Sequence, residues 1–521
     1  MDNIQAEKSR LYYWLLPSFA AMSFAIYPII VMFYPDVMLK DPGIGWHLIS
    51  GHYMIDHKEL LRHDIFSFTR PGQEWTTYEW LFQCFAAGLE KIGGLPLLTA
   101  VSALIYGSLP ILIYKRMLKE GANIYIAVLL LFLAFFGLFG HCHARPHIFT
   151  YFFFTLLLER IFSYEQQRIS ARSLFLFVPV MILWVNLHGG FMAGLAIAGI
   201  AFLVYLGRFF YSKNPSDKDR AKTYFFFGFA LSLASLVNPF GWNLHLSILH
   251  YLNLDSLHLM AEYASPNFNS PYSSARVFEL LVLSLFLLIS RKRHKTSLLE
   301  LVLLVFFIYQ SLHAVRHIFL FCLLAVPILA KELTQVTNKY DNWFTKRSRK
   351  IVSEQQKLKS DRLWIPLICI TLIVLSLTAT DLFKKDLYGR HLTSEAGAYI
   401  KNNIEKFKTP FNTENIGGAL IYHFWPDMKI FGDDRSDFYG DDFYIDEYIE
   451  TLLIKPEWEA TLKKYNITSA IISNQRLATL MKASPNWRIA YKDKKNTIFF
   501  IREGLPDHIT KIIIIGQQRL F

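Results

Sequence analysis

Long apolar runs separated by short polar connections make up most of this chain. Eleven such runs are found near residues 11–34, 95–114, 123–140, 147–163, 173–186, 189–210, 222–238, 276–290, 297–311, 315–331 and 362–380. Because roughly 20 apolar residues cross the hydrocarbon core of a bilayer, the pattern predicts an α-helical polytopic membrane protein with about eleven transmembrane helices. The segment 79–93 is too short and too charged for a span, so we expect an interfacial helix there.

Two polar stretches are too long to be simple connectors. They are a first outer loop, residues 35–94, and a tail, residues 385–521. In the tail, the short β-rich runs GALIYHF, MKIFG, TSAIIS, WRIAY and TIFFI are separated by helical patterns such as NQRLATLMKA. This mixture predicts a soluble α/β domain with helices on at least one face of a sheet. We therefore expect a transmembrane domain at 1–384 and an extracytoplasmic α/β domain at 385–521.

Lysine and arginine predict how the chain crosses the membrane. They concentrate in every second connection, and the loop 331–361 is the most basic. Under the positive-inside rule, this places the N-terminus and that loop in the cytoplasm and the tail outside, as in a multi-pass protein of a plasma membrane. The first helix reads as a signal anchor without a cleavage site. Topology and membrane lipids with anionic headgroups then account for the net charge of +12, and nucleic-acid binding is not implied.

Cysteine spacing and missing motifs limit the cofactors and reaction classes that fit this sequence. The four cysteines form neither a disulfide framework nor a zinc pattern. The sequence lacks a Walker A loop, a GxGxxG after a strand, HExxH and GxSxG. An enzyme outside the cytoplasm has no ATP, so its activated donor must arrive in the membrane, for example linked to a lipid.

Acidic residues of the first outer loop are the candidate catalytic groups. Asp41 could act as general base on an acceptor hydroxyl or bind a hard cation, although Asp-Pro-Gly is also good turn chemistry. His47 follows closely, and Trp46 either stacks on a sugar or anchors the chain at the membrane interface. Asp64 and Glu79 are further catalytic candidates, for which a solvated or capping role is the alternative.

Two arginines stand out because topology disfavours cations in short outer connections. Arg145 and Arg316 each have histidines nearby, and a guanidinium suits phosphate oxygens through bidentate bonds. We expect a lipid-phosphate site formed by Arg145, His147, His188, Arg316 and His317. These histidines could bind a metal, but hydrogen-bonded histidines are commoner. Asn186, Asn238 and Glu262 also fall at the outer face, and Glu262 is expected to pair with one of the arginines.

The loop DPGIGWHLISGHYMIDHKELLRHDIFSFTRPGQEWTTYEWLFQ resembles the first outer loop of GT-C superfamily glycosyltransferases, which include oligosaccharyltransferases, protein O-mannosyltransferases and lipid A aminoarabinose transferases. Nearly the whole chain resembles a group of bacterial membrane proteins that share five motifs. In this sequence the motifs are Asp41, Trp46, His47 and Gly51; Arg145, Pro146 and His147; Asn186, His188, Gly189 and Gly190; Asn238, Pro239, Gly241 and Trp242; and the stretch 433–440.

The resemblance implies a glycosyltransferase that moves a sugar from a polyprenyl-phosphate donor to an extracytoplasmic glycan, lipid or protein of the cell envelope. Asp41 matches the acidic residue that activates the acceptor or binds a metal in that superfamily. A divalent cation such as Mg²⁺ or Mn²⁺ is therefore a candidate cofactor, although Gly43 replaces the second Asp of an Asp-x-Asp motif. The alternatives are a surface-polysaccharide ligase or polymerase, and a non-enzymatic lipid or solute transporter.

Overall fold

The computed structural model describes residues 12–34, 36–139, 142–269, 274–291, 295–339, 342–378, 387–388, 392–453 and 458–502. His141 and the end of the tail, residues 503–521, lie outside these ranges. The chain forms two compact units. The first comprises Met1–Met38, Tyr78–Leu252 and Leu257–Lys384, and the second comprises Leu39–Thr77, Asn253–Ser256 and Lys385–Phe521. Residues 39–77, which the sequence analysis grouped with the membrane region, thus belong to the same unit as the tail.

Helices account for most of the described residues. In chain order they are α1 (Phe19–Phe33), α2 (Asp36–Leu39), α3 (Ile44–His57), α4 (Trp80–Lys119), α5 (Ile124–Phe139), α6 (His147–Glu165), α7 (Ala171–Phe175), α8 (Val178–Leu187), α9 (Phe191–Ser212), α10 (Pro215–Ser235), α11 (Trp242–Tyr251), α12 (Ser274–Ile289), α13 (Leu298–His313), α14 (Ile318–Thr337), α15 (Trp343–Lys357), α16 (Asp361–Thr378), α17 (Ser394–Asn402), α18 (Glu414–Phe424), α19 (Ser436–Phe443), α20 (Glu450–Leu452), α21 (Trp458–Lys464) and α22 (Gln475–Ala483). Short 3₁₀ segments include Asp255–Leu259 and Val315–His317, and Tyr444–Ile449 is a π-helix.

Each of the predicted apolar runs contains a helix of the first unit. Among the described residues, five helices are long and apolar enough to cross a membrane, namely Tyr12–Ile30, Trp80–Lys119, Phe191–Ser212, Val315–Thr337 and Asp361–Thr378. Shorter apolar helices cover Ile124–Ala134, Ala171–Leu187 and Leu298–His313. The structure therefore contains the helices that a polytopic membrane protein requires, while the predicted total of about eleven spans stays a prediction.

The helix α4 joins two elements that the sequence suggested were separate. The predicted interfacial segment 79–93 and the next predicted span run as one helix, broken by a kink at two glycines. Gly94 has a φ of 67°, which an L side chain adopts only with strain, and a Cβ on Gly93 would lie 2.5 Å from a Leu377 side-chain carbon. The change in pattern at residue 93 therefore marks the kink where two helical stretches meet, because Gly93 and Gly94 both leave helical geometry.

The sheet of the second unit has the strand order β1-β2-β4-β3. The strands are β1 (Phe411–Asn412), β2 (Ser469–Ile472), β3 (Trp487–Lys492) and β4 (Ile498–Arg502). β1 pairs with β2 in parallel, whereas β4 is antiparallel to both β2 and β3. The runs TSAIIS, WRIAY and TIFFI are confirmed as strands, and NQRLATLMKA is confirmed as a helix. GALIYHF is wrong as a strand because it forms most of α18, in which seven of the eleven residues are buried and the helical period is therefore weak.

Two glycines allow α3 and α18 to pack in very close contact. A Cβ on Gly45 would lie 1.9 Å from the carbonyl oxygen of Gly418, and a Cβ on Gly418 would lie 1.8 Å from that of Pro42. Real Cβ atoms do not approach a backbone oxygen so closely, so both positions require glycine. This contact fixes the start of α3, which carries Trp46 and directly follows the turn at Asp41, against the tail segment of the same unit.

Candidate functional site

His188 lies where several predicted site residues of the first unit meet. It occupies the short connection between α8 and α9, and its side chain is 13% exposed. Its Nε2 atom is 3.6 Å from Glu79 Oε1, at the start of α4. Burial, followed by the positive charges of Arg316 and Arg145, lowers the pKa of His188 to about 3. Both arginines thus act on the same imidazole, which is neutral at physiological pH.

Arg316 is held by the loop that precedes α12. Its guanidinium lies over the Tyr263 ring, 4.4 Å from the centroid, and Nη1 is 3.6 Å from Glu262 Oε1. The backbone N–H of Arg316 donates to the carbonyl of Glu262 at 3.1 Å. The predicted pairing of Glu262 with one of the arginines is confirmed. Because the Glu262 side chain is 43% exposed and the contact is long, this ion pair is loose and accessible to solvent.

The histidines next to the arginines are hydrogen-bonded within the fold. His147 Nε2 lies 3.0 Å from the Tyr106 hydroxyl, and His317 Nδ1 lies 3.0 Å from the carbonyl oxygen of Gln310. Since a carbonyl oxygen only accepts, His317 Nδ1 must carry a hydrogen. The described residues contain no group of three or more His, Cys, Asp or Glu that could hold a metal ion. These placements favour hydrogen bonding over metal binding for the histidines.

The side-chain amides of Asn186 and Asn238 are hydrogen-bonded to neighbouring residues. Asn186 accepts a hydrogen bond from Trp80 Nε1 at 2.9 Å and donates to the carbonyls of Ile182 and Val237. Asn238 donates to two backbone carbonyls and accepts from the N–H of Phe240 at 2.8 Å. Asn186 therefore joins α4, α8 and the end of α10, and Asn238 closes a turn. Both arrangements favour a structural role for these predicted site residues.

The second unit holds the remaining candidates from the first outer loop. Asp41 Oδ1 accepts the N–H of Gly43 at 2.9 Å, which is the turn that Asp-Pro-Gly predicted. Trp46 is buried and donates from Nε1 to Asp434 Oδ1 at 2.7 Å, and its ring lies 3.6 Å from that of buried His47. Trp46 and His47 are thus part of the interior of this unit. Asp41 is only partly buried.

Asp64 takes part in a buried ion-pair network around Arg435. Arg435 Nη1 lies 2.9 Å from Asp64 Oδ1, and Arg435 also forms a bidentate pair with Asp433. The Asp64 carboxylate accepts from the backbone N–H and hydroxyl of Ser67 as well. Aromatic rings surround the guanidinium, with centroids 4.5 to 5.9 Å away: those of Trp46, Phe66, Trp75, Phe438 and Tyr439. This setting favours a structural role for Asp64, and the catalytic role predicted from the sequence stays a prediction.

Sequence reasoning missed several polar groups that the structure brings next to these candidates. In the second unit, burial and the charges of Asp434 and Asp433 raise the pKa of Glu414 to about 7, and burial raises that of Asp437 to about 6. In the first unit, Thr150 contacts His188, and Trp184 contacts Thr150. Both residues lie within apolar runs. The stretch 433–440 that the sequence singled out contains Asp437, but nothing in the sequence pointed to Glu414. Nothing in the sequence distinguished Thr150 from the other residues of its helix.

The sequence predicts Asp41 as a catalytic group and Arg145, His188 and Arg316 as parts of a phosphate site. In the first unit, the charges of both arginines contribute to the lowered pKa of His188, and their common phosphate site stays a prediction. Asp41 belongs to the second unit, and its participation stays a prediction.

No protein-family model matches the sequence, and no curated protein matches it. Among solved structures, the chain is similar to the Archaeoglobus fulgidus oligosaccharyltransferase tethered with an acceptor peptide containing the NVT sequon. The TM-score is 0.53 at 12% sequence identity, over 94% of this chain and 74% of that one. ArnT from Cupriavidus metallidurans bound to undecaprenyl phosphate gives a TM-score of 0.49 at 12% identity, over 92% and 97% of the two chains. The chain has a GT-C-like fold, as its sequence predicted.

Proposed function

We propose that this protein is a membrane glycosyltransferase that moves a sugar from a polyprenyl-phosphate donor to an extracytoplasmic acceptor. The observation that carries the proposal is that the ring of His147, two residues after Arg145, lies 6.5 Å from the ring of His188, whose pKa is lowered by the charges of both Arg145 and Arg316. Cations at the helix ends of an apolar bundle are costly unless they serve a purpose. Binding the phosphate of a lipid-linked donor is a purpose that fits guanidinium chemistry. The fold shared with an oligosaccharyltransferase supports this choice.

The proposed reaction is a displacement at the anomeric carbon of the sugar. An acceptor hydroxyl gives its proton to a carboxylate, and its oxygen forms the new bond to that carbon. The bond between the carbon and the phosphate oxygen breaks, and the phosphate leaves with the electron pair. Arg145 and Arg316 stabilise the negative charge that develops on the leaving group.

Asp41 is the carboxylate that we propose as the base. Its Oδ1 atom accepts the Gly43 N–H, which orients the side chain, and a carboxylate in this position can act as a general base. Gly43 replaces the second Asp of an Asp-x-Asp pair, and none of the described residues forms a three-ligand cluster around Asp41. Mg²⁺ or Mn²⁺ therefore has a poor ligand set here, and no step of the proposed reaction depends on a metal.

Binding of undecaprenyl phosphate to the purified protein tests the phosphate site. We expect Arg145→Ala and Arg316→Ala each to weaken the affinity at least about tenfold, since each removes a charge-assisted contact. Arg276→Ala is the matched control, because Arg276 forms an exposed ion pair with Glu279 on α12. Equal affinity of wild type and both arginine variants would refute the proposed phosphate site. A transporter would bind the lipid in the same way but would show no sugar transfer.

A further inference from the structure

The two ring nitrogens of His188 have different surroundings. Nδ1 accepts the backbone N–H of Gly190 at 2.9 Å and lies 2.8 Å from the Thr150 hydroxyl oxygen. A backbone N–H can only donate, so Nδ1 carries no hydrogen. In the neutral imidazole the hydrogen is therefore on Nε2, the atom that faces Glu79.

Thr150 is itself held in one orientation by Trp184. The indole Nε1–H of Trp184 donates to Thr150 Oγ1 at 2.9 Å. Because an indole N–H never accepts, Thr150 must accept there, which leaves its own hydrogen for His188 Nδ1. Trp184 and Thr150 are both buried. A Cβ on Gly190 would lie 2.3 Å from Thr150 Oγ1 and 2.8 Å from His188 Nδ1, so only glycine fits beside them.

Glu79 and His188 present one acceptor and one donor side by side. The distance of 3.6 Å from Nε2 to Oε1 is longer than a hydrogen bond, and both side chains are slightly exposed, at 13% and 11%. A hydroxyl group both donates and accepts, so one hydroxyl can donate to the carboxylate while it accepts from the Nε2–H. An ionised carboxylate repels a phosphate, and a neutral imidazole adds no cation to attract it. The pair therefore suits a hydroxyl better than an anion.

We infer that Glu79 and His188 form a subsite for a hydroxyl of the donor's sugar, and that Thr150 is the positioning residue that fixes His188 in this arrangement. The inference rests on the proposed function, in which Arg145 and Arg316 bind the phosphate next to that sugar. It changes the role predicted for two residues, since Glu79 was expected to be catalytic and His188 to bind phosphate. Glu79 and His188 then help to select the sugar.

Paired binding measurements separate this subsite from the phosphate site. The probes are undecaprenyl phosphate and the same lipid carrying one sugar, either a hexose or an aminopentose. We expect wild type to bind one of the sugar-bearing lipids more tightly than the bare lipid. Glu79→Gln and Thr150→Val should reduce that advantage at least about tenfold and leave the affinity for bare undecaprenyl phosphate within about twofold of wild type.

Conservative variants test the geometry. Thr150→Ser keeps the hydroxyl and should restore the sugar advantage that Thr150→Val loses. His188→Gln places an amide N–H near the position of Nε2 and should retain part of the advantage. His188→Asn places its amide near Nδ1 and should retain none. Unchanged binding of the bare lipid also shows that each variant is folded.

Three outcomes would overturn the inference. Thr150→Val could match Thr150→Ser in sugar advantage, the variants could weaken both probes equally, or wild type could bind the bare lipid but gain nothing from any sugar. The last result would leave the phosphate site intact and remove only the subsite. Failure of wild type to bind bare undecaprenyl phosphate would instead contradict the proposed function itself.

Discussion

At the scale of single residues, the Asn-x-His-Gly-Gly motif has a physical explanation for most of its members. Asn186 ties helices together, His188 faces Glu79, and Gly190 leaves room for Thr150. The sequence identified the motif because histidine and glycine are conspicuous at a helix end. It could not identify Thr150 or Trp184, because an apolar helix gives no sign of which hydroxyl or indole meets a distant imidazole.

Gly190→Ala should damage the site directly. The new methyl group would overlap Thr150 Oγ1 and His188 Nδ1, so we expect a loss of about 1–3 kcal/mol in stability and of the sugar advantage in binding. Gly199→Ala is the control, because a Cβ there meets nothing within 4 Å. That control should leave binding unchanged and raise stability by about 0.5–1 kcal/mol. Thermal unfolding in detergent measures the stability of the two variants, and lipid binding is measured separately. Equal stability and binding of the two variants would refute the close contact.

Glu414 should make stability depend on pH. Its folded pKa of about 7 lies above the ordinary value of 4.5, because burial and the charges of Asp434 and Asp433 disfavour its ionised form. Between these values the folded state binds more protons than the unfolded state, so this group's contribution to stability falls as pH rises from 4.5 to 7. The pKa of Asp437 is also raised, so its contribution to stability changes with pH in the same direction, and Arg435 is the cation nearby.

Glu414→Gln should remove part of this slope. We expect the variant to gain unfolding temperature relative to wild type at pH 8, and to gain less or nothing at pH 5. Glu405→Gln is a suitable control, because Glu405 forms an exposed ion pair with Lys408. Parallel pH profiles for wild type and Glu414→Gln would show that the pKa of this carboxyl is not raised in the folded protein.

At the scale of elements, hydrophobic period predicted most helices and three strands but failed for a helix that is buried along most of its length. GALIYHF has apolar residues on all sides of α18, so neither helical nor strand period is visible in it. The kink in α4 was visible as a change of pattern, but its geometry depends on the φ angle of Gly94. Long-range pairs such as Asp64 with Arg435 leave no local signal at all.

Asp64→Asn tests how residues 39–77 are held to the tail segment of the second unit. Breaking a buried ion pair costs roughly 3–5 kcal/mol, and because Asp433 still pairs with Arg435 we expect the lower end of that range. Arg70→Ala removes the more exposed pair with Asp442 and should cost at most about 1 kcal/mol. Unfolding temperatures of Asp64→Asn and Arg70→Ala, measured side by side, test this difference. Asp64→Asn with the stability of Arg70→Ala would contradict a structural role for this carboxylate.

At the scale of the whole molecule, the sequence predicted a polytopic membrane protein with a GT-C-like fold, and the structural comparison agrees. It grouped the chain differently, because a loop of about 40 residues gives no sign of which distant segment it joins. The structure places residues 39–77 in the second unit. Membrane orientation follows only from the distribution of Lys and Arg, and it stays a prediction.

Cysteine labelling tests that orientation. In a background without the four native cysteines, Ser394→Cys and Lys350→Cys each place one thiol at an exposed position. A membrane-impermeant maleimide should label Ser394→Cys on intact spheroplasts and should label Lys350→Cys only after lysis. The opposite pattern would invert the topology and remove the proposed extracytoplasmic acceptor.

The most direct test of the central claim is the rate of sugar transfer by Asp41→Asn relative to wild type. The protein is incubated with undecaprenyl phosphate carrying a radiolabelled sugar and with cell-envelope extract as acceptor. Asparagine keeps an oxygen for the Gly43 N–H but cannot take a proton, so we expect transfer to fall about 10²–10⁴-fold while donor binding is kept. Transfer by Asp41→Asn at the wild-type rate, or no transfer by wild type with any such donor, would contradict the account.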